Sequence, residues 1–344
     1  MRLIQFELPP VVIRRVGIVE DDIVFDLTSL NPLWDSVYRI FIDAKKADKS
    51  LENFIQASDY RKHCRTYDYV TLLKNRHGDK GGWLLPPIDH PDLAHCLITG
   101  TGLTHLGSMK QRDKMHKTEE PKSKTDSQKM FEMGIYGGKP DKGQRGISPE
   151  WFYKGTGAIL RGHNDFLDIP SFSQDGGEEP EIVGCYIIDN DGMPCRLGFA
   201  IANEWSDHIT ERLNYLWLAP SKLRTCSIGP ELITDQEFKD IRGYCRIYRD
   251  RNVIYDSGEL LTGEDNMSHS LANLEDHHFK YPQFRIPGDV HIHFFGTMKL
   301  SYGNRDAFQD DDKIEISFQD MGANLVNYVR RFPPDNKPFT VKKA

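Results

Sequence analysis

The segment Gly177-Glu178-Glu179-Pro180-Glu181-Ile182-Val183-Gly184 constrains this chain most, because carboxylates lead without a break into an apolar, strand-like run over 181–188. Glu179 and Glu181 are two residues apart, so on an extended backbone they project to one face. A solvated strand end is the ordinary setting for such a pair. A face that buries both needs a cation or a proton between the like charges. A hard divalent ion, Mg2+ or Mn2+, suits carboxylate oxygens and leaves coordination positions for a chelating substrate.

Composition removes several function classes. With 344 residues, 38% of them hydrophobic, the chain can form one large or two unequal globular domains. A net charge of −7 repels polyphosphate. The one locally basic stretch (Lys110, Arg112, Lys114, Lys117, Lys122, Lys124, Lys129) alternates with acids and lacks stacking aromatics, so it reads as a solvated loop and no nucleic-acid partner is expected. No uncharged apolar run approaches the ~18 residues of a membrane helix, and Met1 to Pro10 carries Arg2 and Glu7, unlike a signal peptide. The expectation is a cytoplasmic protein without a membrane partner. Six cysteines without a C-x-x-C pair read as reduced, mostly buried thiols. Gly100-Thr101-Gly102 lacks the spacing of a dinucleotide fingerprint, so no nucleotide cofactor is expected. His291 and His293, on one strand face and near His269, His277 and His278, offer a rival zinc reading.

Periodicity divides the chain in three. Residues 1–98 combine a strand hairpin with apolar residues at three- and four-residue intervals (Val37, Ile40, Phe41, Ala44), as in a small α/β domain. Residues 99–147 are charged and glycine-rich, and read as a loop serving as lid and linker. Residues 148–344 carry strand-like runs at 181–188, 196–201, 242–249 and 290–295. The fold class is α+β, mainly β in this catalytic half.

Downstream of the acidic strand come Asn203-Glu204-Trp205-Ser206-Asp207-His208, Glu211, Ser221-Lys222, Gly229-Pro230, and Gly288-Asp289-Val290 running to Gly296-Thr297. In that order they resemble the fumarylacetoacetate hydrolase family, whose catalytic domain carries an E-x-E pair, an N-D-x-S-x-R-x-x-Q segment, a lysine before a G-P step, and a late G-D-x-[hydrophobic]-x-x-G-T strand. The resemblance covers about 150–302 and implies that family's mixed β-roll. It implies Mg2+ or Mn2+ on Glu179, Glu181 and Glu204, with Asp207 the second choice for the third ligand, because the family has aspartate where Glu204 stands. It places Lys222 beside the metal, Thr297 on the substrate carboxylate, and Gly296, Lys154 and Ser206 among the substrate contacts. His208 and Glu211 replace the family's arginine and glutamine. With Lys222 they are the groups expected to handle protons, joined by His105 or His116 when the lid closes.

Trp151-Phe152-Tyr153-Lys154-Gly155, Ser221-Lys222-Leu223-Arg224, His277-His278-Phe279-Lys280-Tyr281 and the phrase from Gly100 to Ser108 resemble one branch, the 2-keto-3-deoxy-L-arabonate dehydratase-like enzymes of pentose (L-arabinose) degradation. That branch implies a Mg2+-dependent hydro-lyase of 2-keto-3-deoxy sugar acids, such as 2-keto-3-deoxy-L-arabonate to 2-oxoglutarate semialdehyde. The metal would stabilise the enolate left when a C3 proton departs. The alternative is a hydrolase cleaving the C–C bond of 2,4-diketo-3-deoxy acids on the same site. The family also implies a homodimer.

Overall fold

The structure, a computed structural model, describes residues 1–107, 124–335 and 337–344. The first part of the chain forms β1 (Arg2–Leu8), β2 (Ile13–Glu20), β3 (Ile23–Asp26), α1 (Val37–Lys46), α2 (Leu51–Gln56), α3 (Tyr60–His63), β4 (Arg65–Asp68), α4 (Tyr69–Lys74) and β5 (Trp83–Leu85). The helices start where a side chain satisfies an orphan backbone N–H: Ser36, Ser50 and Asp68 accept from Arg39, Asn53 and Thr71. There follow β6 (Cys96–Gly102), α5 (Asp126–Gly137), β7 (Glu150–Thr156), β8 (Leu160–Arg161), β9 (Phe166–Ile169), β10 (Pro180–Ile188), β11 (Pro194–Asn203), α6 (His208–Leu213), α7 (Leu218–Lys222), β12 (Cys226–Ile228) and β13 (Leu232–Ile233). The chain then adds β14 (Ile241–Arg249), β15 (Asn252–Asp256), β16 (Leu260–Thr262), α8 (Leu271–Phe279), β17 (Val290–Phe294), β18 (Lys313–Phe318) and β19 (Leu325–Arg331).

A 13-stranded mixed sheet follows the path β4-β3-β2-β1-β13-β11-β10-β17-β6-β7, with β5, β8 and β12 branching from it, and a six-stranded sheet runs β15-β14-β18-β19-β9 with β16 beside β14. Along β10 the alternate residues Val183, Cys185 and Ile187 join a core that α1 and α2 cover, through Val37, Ile40, Phe41, Leu51 and Ile55. Ile182, on the opposite face, packs with Phe199, Ile201 and Phe295 against the smaller sheet. The period of two thus serves two cores, and Glu181 continues the first face where its apolar residues end.

Two features differ from the sequence expectation. The N-terminal strands extend the catalytic sheet: β1 pairs with β13 (Arg2↔Ile233, Leu3↔Leu232), and β6 runs across the division drawn at residue 98 to pair with β17. The charged stretch read as a loop contains α5, opened by a Thr125–Gln128 capping box, with Lys124 and Lys129 paired to Glu132 and Asp126. The rest of that stretch, 108–123 with the lid candidate His116, lies outside the described residues. The six cysteines are free thiols, four of them buried, and no helix among the described residues is long and apolar enough to cross a membrane.

Glu231 joins the two halves. It is fully buried and accepts the Arg2 guanidinium at 2.6 and 2.8 Å, the Tyr69 hydroxyl and the Ala323 N–H. Removing one member of such a group leaves the others unpaired. Glu231→Ala is expected to cost about 3 kcal/mol, and calorimetry should show both halves melting earlier in one transition. Loss of the N-terminal transition alone would contradict the shared sheet.

Candidate metal centre

The site sits where the apolar face of β10 gives way to acid. Antiparallel pairing sets Pro180 opposite Asn203 and Glu181 opposite Ala202, and beyond the strand ends the Glu204 N–H donates to the Glu179 carbonyl at 3.0 Å. Glu179 and Glu204 therefore face each other across the ladder. Glu181 stands one step inward beside an alanine that leaves room for it. The three carboxylates are buried and offer oxygens within 4.8 Å of one another. Gly296 contributes its N–H to Glu181 Oε2 at 2.6 Å. Its φ of +98° is one that L side chains rarely adopt, and a Cβ there would meet Thr104 Oγ1, so the contact needs glycine.

Two buried ammonium groups answer these carboxylates. Lys222 Nζ lies 2.6 Å from Glu179 Oε1 and 3.1 Å from Glu204 Oε2. Lys154 Nζ donates to Glu204 Oε1 at 2.8 Å and to the carbonyls of Trp205 and Lys222, both at 2.9 Å. Among the described residues one carboxylate charge stays unmatched, and so does one oxygen: Glu181 Oε1 is buried without a hydrogen-bond partner. Burial, then the charges of Glu204 and Glu179, push the Glu181 carboxyl well above the ordinary range. Burial also tends to raise Glu179, but the Lys222 charge and the His208 bond outweigh it and hold that carboxyl well below its usual range. Burial works against the charged form of Lys222, yet Glu179 and Glu204 keep its pKa well above the ordinary value. An all-carboxylate set with one orphaned oxygen fits a hard divalent cation.

His208 Nε2 bonds Glu179 Oε1 at 2.9 Å, its ring packs against Gly177 and Tyr302, and its Nδ1 has no partner among the described residues. Burial lowers its pKa, but the Glu179 bond and charge reverse this, so the net shift is upward. Glu211, on the same helix α6, is half-buried and adds its charge to both His208 and Lys222. Asp207, the second-choice ligand, is not in the cluster. It caps α6 through the Thr210 N–H at 3.0 Å and pairs with Arg224 at 3.2 Å.

The expected substrate contacts are occupied by protein partners. Lys154 has its three protons committed, and Ser206 Oγ donates to Glu204 Oε1 at 3.0 Å. Gly296 N–H faces Glu181, and the Thr297 hydroxyl lies 2.9 Å from the carbonyls of both Pro180 and Lys299. His105 is buried, not carried on an exposed arm. Its ring nitrogens contact the hydroxyls of Thr262 and Thr104, and burial pushes its pKa down to about 3.

The histidines form a packed stack and not a metal set. His278 Nε2 meets His291 Nδ1 at 2.9 Å, and the rings of His278 and His293 lie face to face at 4.4 Å. Burial lowers His291 and His293 to about 3. Among the described residues the three glutamates are the sole group with metal-holding geometry.

No family model matches the chain, and no curated protein matches it. Solved structures do. One described as 2-keto-3-deoxy-D-arabinonate dehydratase complexed with magnesium and 2,5-dioxopentanoate is similar with a TM-score of 0.68 and 19% identity, over 97% of this chain and 100% of its own. A fumarylacetoacetate hydrolase from psychrophilic Exiguobacterium antarcticum gives 0.60 and 15%, over 96% and 100%. A maleylpyruvate hydrolase from Sphingobium sp. SYK-6, in complex with manganese(II) and pyruvate, gives 0.58 and 14%, over 96% and 99%. The chain therefore has the mixed, sheet-rich fold that the fumarylacetoacetate hydrolase adopts.

The raised Glu181 pKa sets a sign. In metal-free protein its contribution to stability is present below the ordinary carboxylate range and is lost as pH rises towards the raised folded value. A cation must displace that proton, so Mn2+ affinity should rise with pH. Glu181→Gln should weaken Mn2+ binding by at least about 100-fold. It should also flatten the fall of melting temperature with pH measured in chelator. Wild-type-like Mn2+ titration of that variant would contradict the assignment.

Proposed function

We propose that this chain is a member of the fumarylacetoacetate hydrolase family and a divalent-metal-dependent dehydratase of 2-keto-3-deoxy sugar acids, a 2-keto-3-deoxy pentonate being the substrate. The observation that carries this is the coincidence at Glu181 of an unbalanced charge and an orphaned carboxylate oxygen inside a buried three-glutamate set. The magnesium and 2,5-dioxopentanoate of the dehydratase structure support the same class. The sequence phrases around Lys154, Lys222 and His277 favour the L-arabonate branch, and the family resemblance favours a homodimer.

Mg2+ or Mn2+ held by Glu179, Glu181 and Glu204 would supply a Lewis acid that draws electrons from the carbonyl of a 2-oxo acid. The chain's own residues do the rest. Lys222 stays charged over the Phe152 ring, with Nζ 4.8 Å from its centroid, and offsets the negative charge of ligands and substrate. Its Nζ is engaged by Glu179 and Glu204, so its part here is to balance charge and hold these two ligands. Lys154 and Ser206 fix Glu204, Gly296 fixes Glu181, and His208 fixes Glu179, so the ligands do not have to be ordered as substrate arrives. Burial of this set in the sheet keeps bulk water from its charges.

A second reading, hydrolysis of the C–C bond of a 2,4-diketo acid, is favoured by the two hydrolases that share the fold. The products separate the readings. Incubated with Mg2+ and a panel of 2-keto-3-deoxy pentonates, the protein should form a semialdehyde of unchanged carbon count. Release of pyruvate from a diketo acid, with no semialdehyde, would favour the hydrolase.

A further inference from the structure

Glu178 belongs to the acidic run but not to the glutamate cluster. By the period of two it falls on the face opposite Glu179 and Glu181, where it is fully buried and accepts the Ser301 N–H at 2.6 Å and the Ser301 hydroxyl at 2.5 Å. Four residues on, Arg305, with its side chain 2% exposed, donates to Ser301 Oγ at 2.6 Å, to the Gly176 carbonyl at 2.7 Å and to Asp175 at 3.4 Å. The Asn304 N–H closes the turn on the Ser301 carbonyl at 2.8 Å. The turn is thus fastened at both ends to residues 175–178, the segment that leads into β10. Buried charges cost desolvation, and a surface turn does not need them to close.

Tyr302 is the large side chain that this turn holds in place. Its ring lies 5.5 Å from that of His208, which is bonded in turn to Glu179. Gly177 makes room for the imidazole, since a Cβ there would meet His208 Nδ1. Tyr302 is half-buried, and its hydroxyl has no hydrogen-bond partner among the described residues. The cations of this region are taken: Lys222, Arg224 and Arg305 each pair with a carboxylate. What the turn presents is a neutral phenol, which suits an alcohol and gives a second substrate carboxylate no counter-charge.

We propose that Tyr302 is a specificity-determining residue that hydrogen-bonds the terminal hydroxyl of the substrate, and that Glu178 is a positioning residue that holds it there through Ser301. The proposal rests on the reading of the site as acting on 2-keto-3-deoxy pentonates. The carboxylate and keto oxygens are the chelating end of such an acid, so the C5 hydroxyl is the end that reaches past the glutamates. An acid of the same skeleton without that hydroxyl leaves the phenol unpaired, which weakens binding more than it slows proton transfer.

The probes are 2-keto-3-deoxypentonate and 4-hydroxy-2-oxopentanoate, which differ only in the C5 hydroxyl, both supplied as racemates and assayed for dehydration with Mg2+. Wild type should prefer the pentonate in kcat/KM by about tenfold. Tyr302→Phe should bring the two compounds within about twofold of each other, chiefly by raising KM for the pentonate. Ser301→Ala, which loosens the turn and leaves the buried carboxylate in place, should narrow the preference in the wild-type background and change it little in Tyr302→Phe. A Tyr302→Phe enzyme that keeps the wild-type preference overturns the inference alone, as does an equal fall of kcat/KM on both compounds, which marks a structural role. A Ser301→Ala effect of the same size in both backgrounds overturns the positioning role of Glu178. A wild-type protein that binds Mn2+ and dehydrates neither compound overturns the reading beneath it, and the inference with it.

Discussion

Three buried carboxylates facing two buried ammonium groups set the terms for this molecule. Ionised carboxylates out of water are costly unless neighbours compensate them, and Lys222 and Lys154 compensate only part of the charge. The remainder falls on Glu181, whose Oε1 has no partner among the described residues. A fold organised only for stability would gain by filling this position with an apolar residue, as Val183, Cys185 and Ile187 fill the steps before it. Retaining a raised, unpaired carboxyl there makes sense if a cation completes it.

The sheet holds this arrangement in register. Glu179 and Glu204 meet because β10 and β11 pair antiparallel, and a slip of one residue would send Glu181 to the opposite face with Ile182 and Ile201. The β6 and β17 segments contribute glycines at the same level, Gly102 and Gly296, so the mouth of the sheet stays open while the layers below are packed with Phe152 and Phe294. Continuity of the sheet into β1 gives the site a broad support, because Glu231 ties the first strand to the strands beside the glutamates.

Much of this was legible in the sequence where the information is local. A period of two placed Glu179 and Glu181 on one face, and the order of Glu204 and Lys222 along the chain matched a known pattern. Cap signals were also present, though weaker than the ligand reading. Asp207 three residues before Thr210, and Thr125 three before Gln128, are helix-start signatures that account for Asp207 as a cap and for α5 within a charged stretch. What depends on register was not legible. Gly296 comes level with Glu181 only through the pairing of neighbouring strands, and β1 finds β13 across more than two hundred residues. The histidines offered a rival reading because their types suggest ligands, whereas burial and ring contacts with Phe279 and Phe284 make them core residues. The resemblance put Lys154 among the substrate contacts, and here its ammonium is hydrogen-bonded to Glu204 and two backbone carbonyls.

The central claim is that the glutamate set holds a divalent cation. Anomalous diffraction from crystals soaked in Mn2+ tests it most directly. The account predicts one strong peak bounded by Glu179, Glu181 and Glu204. A peak among His278, His291 and His293, or none at the glutamates at saturating Mn2+, would contradict it.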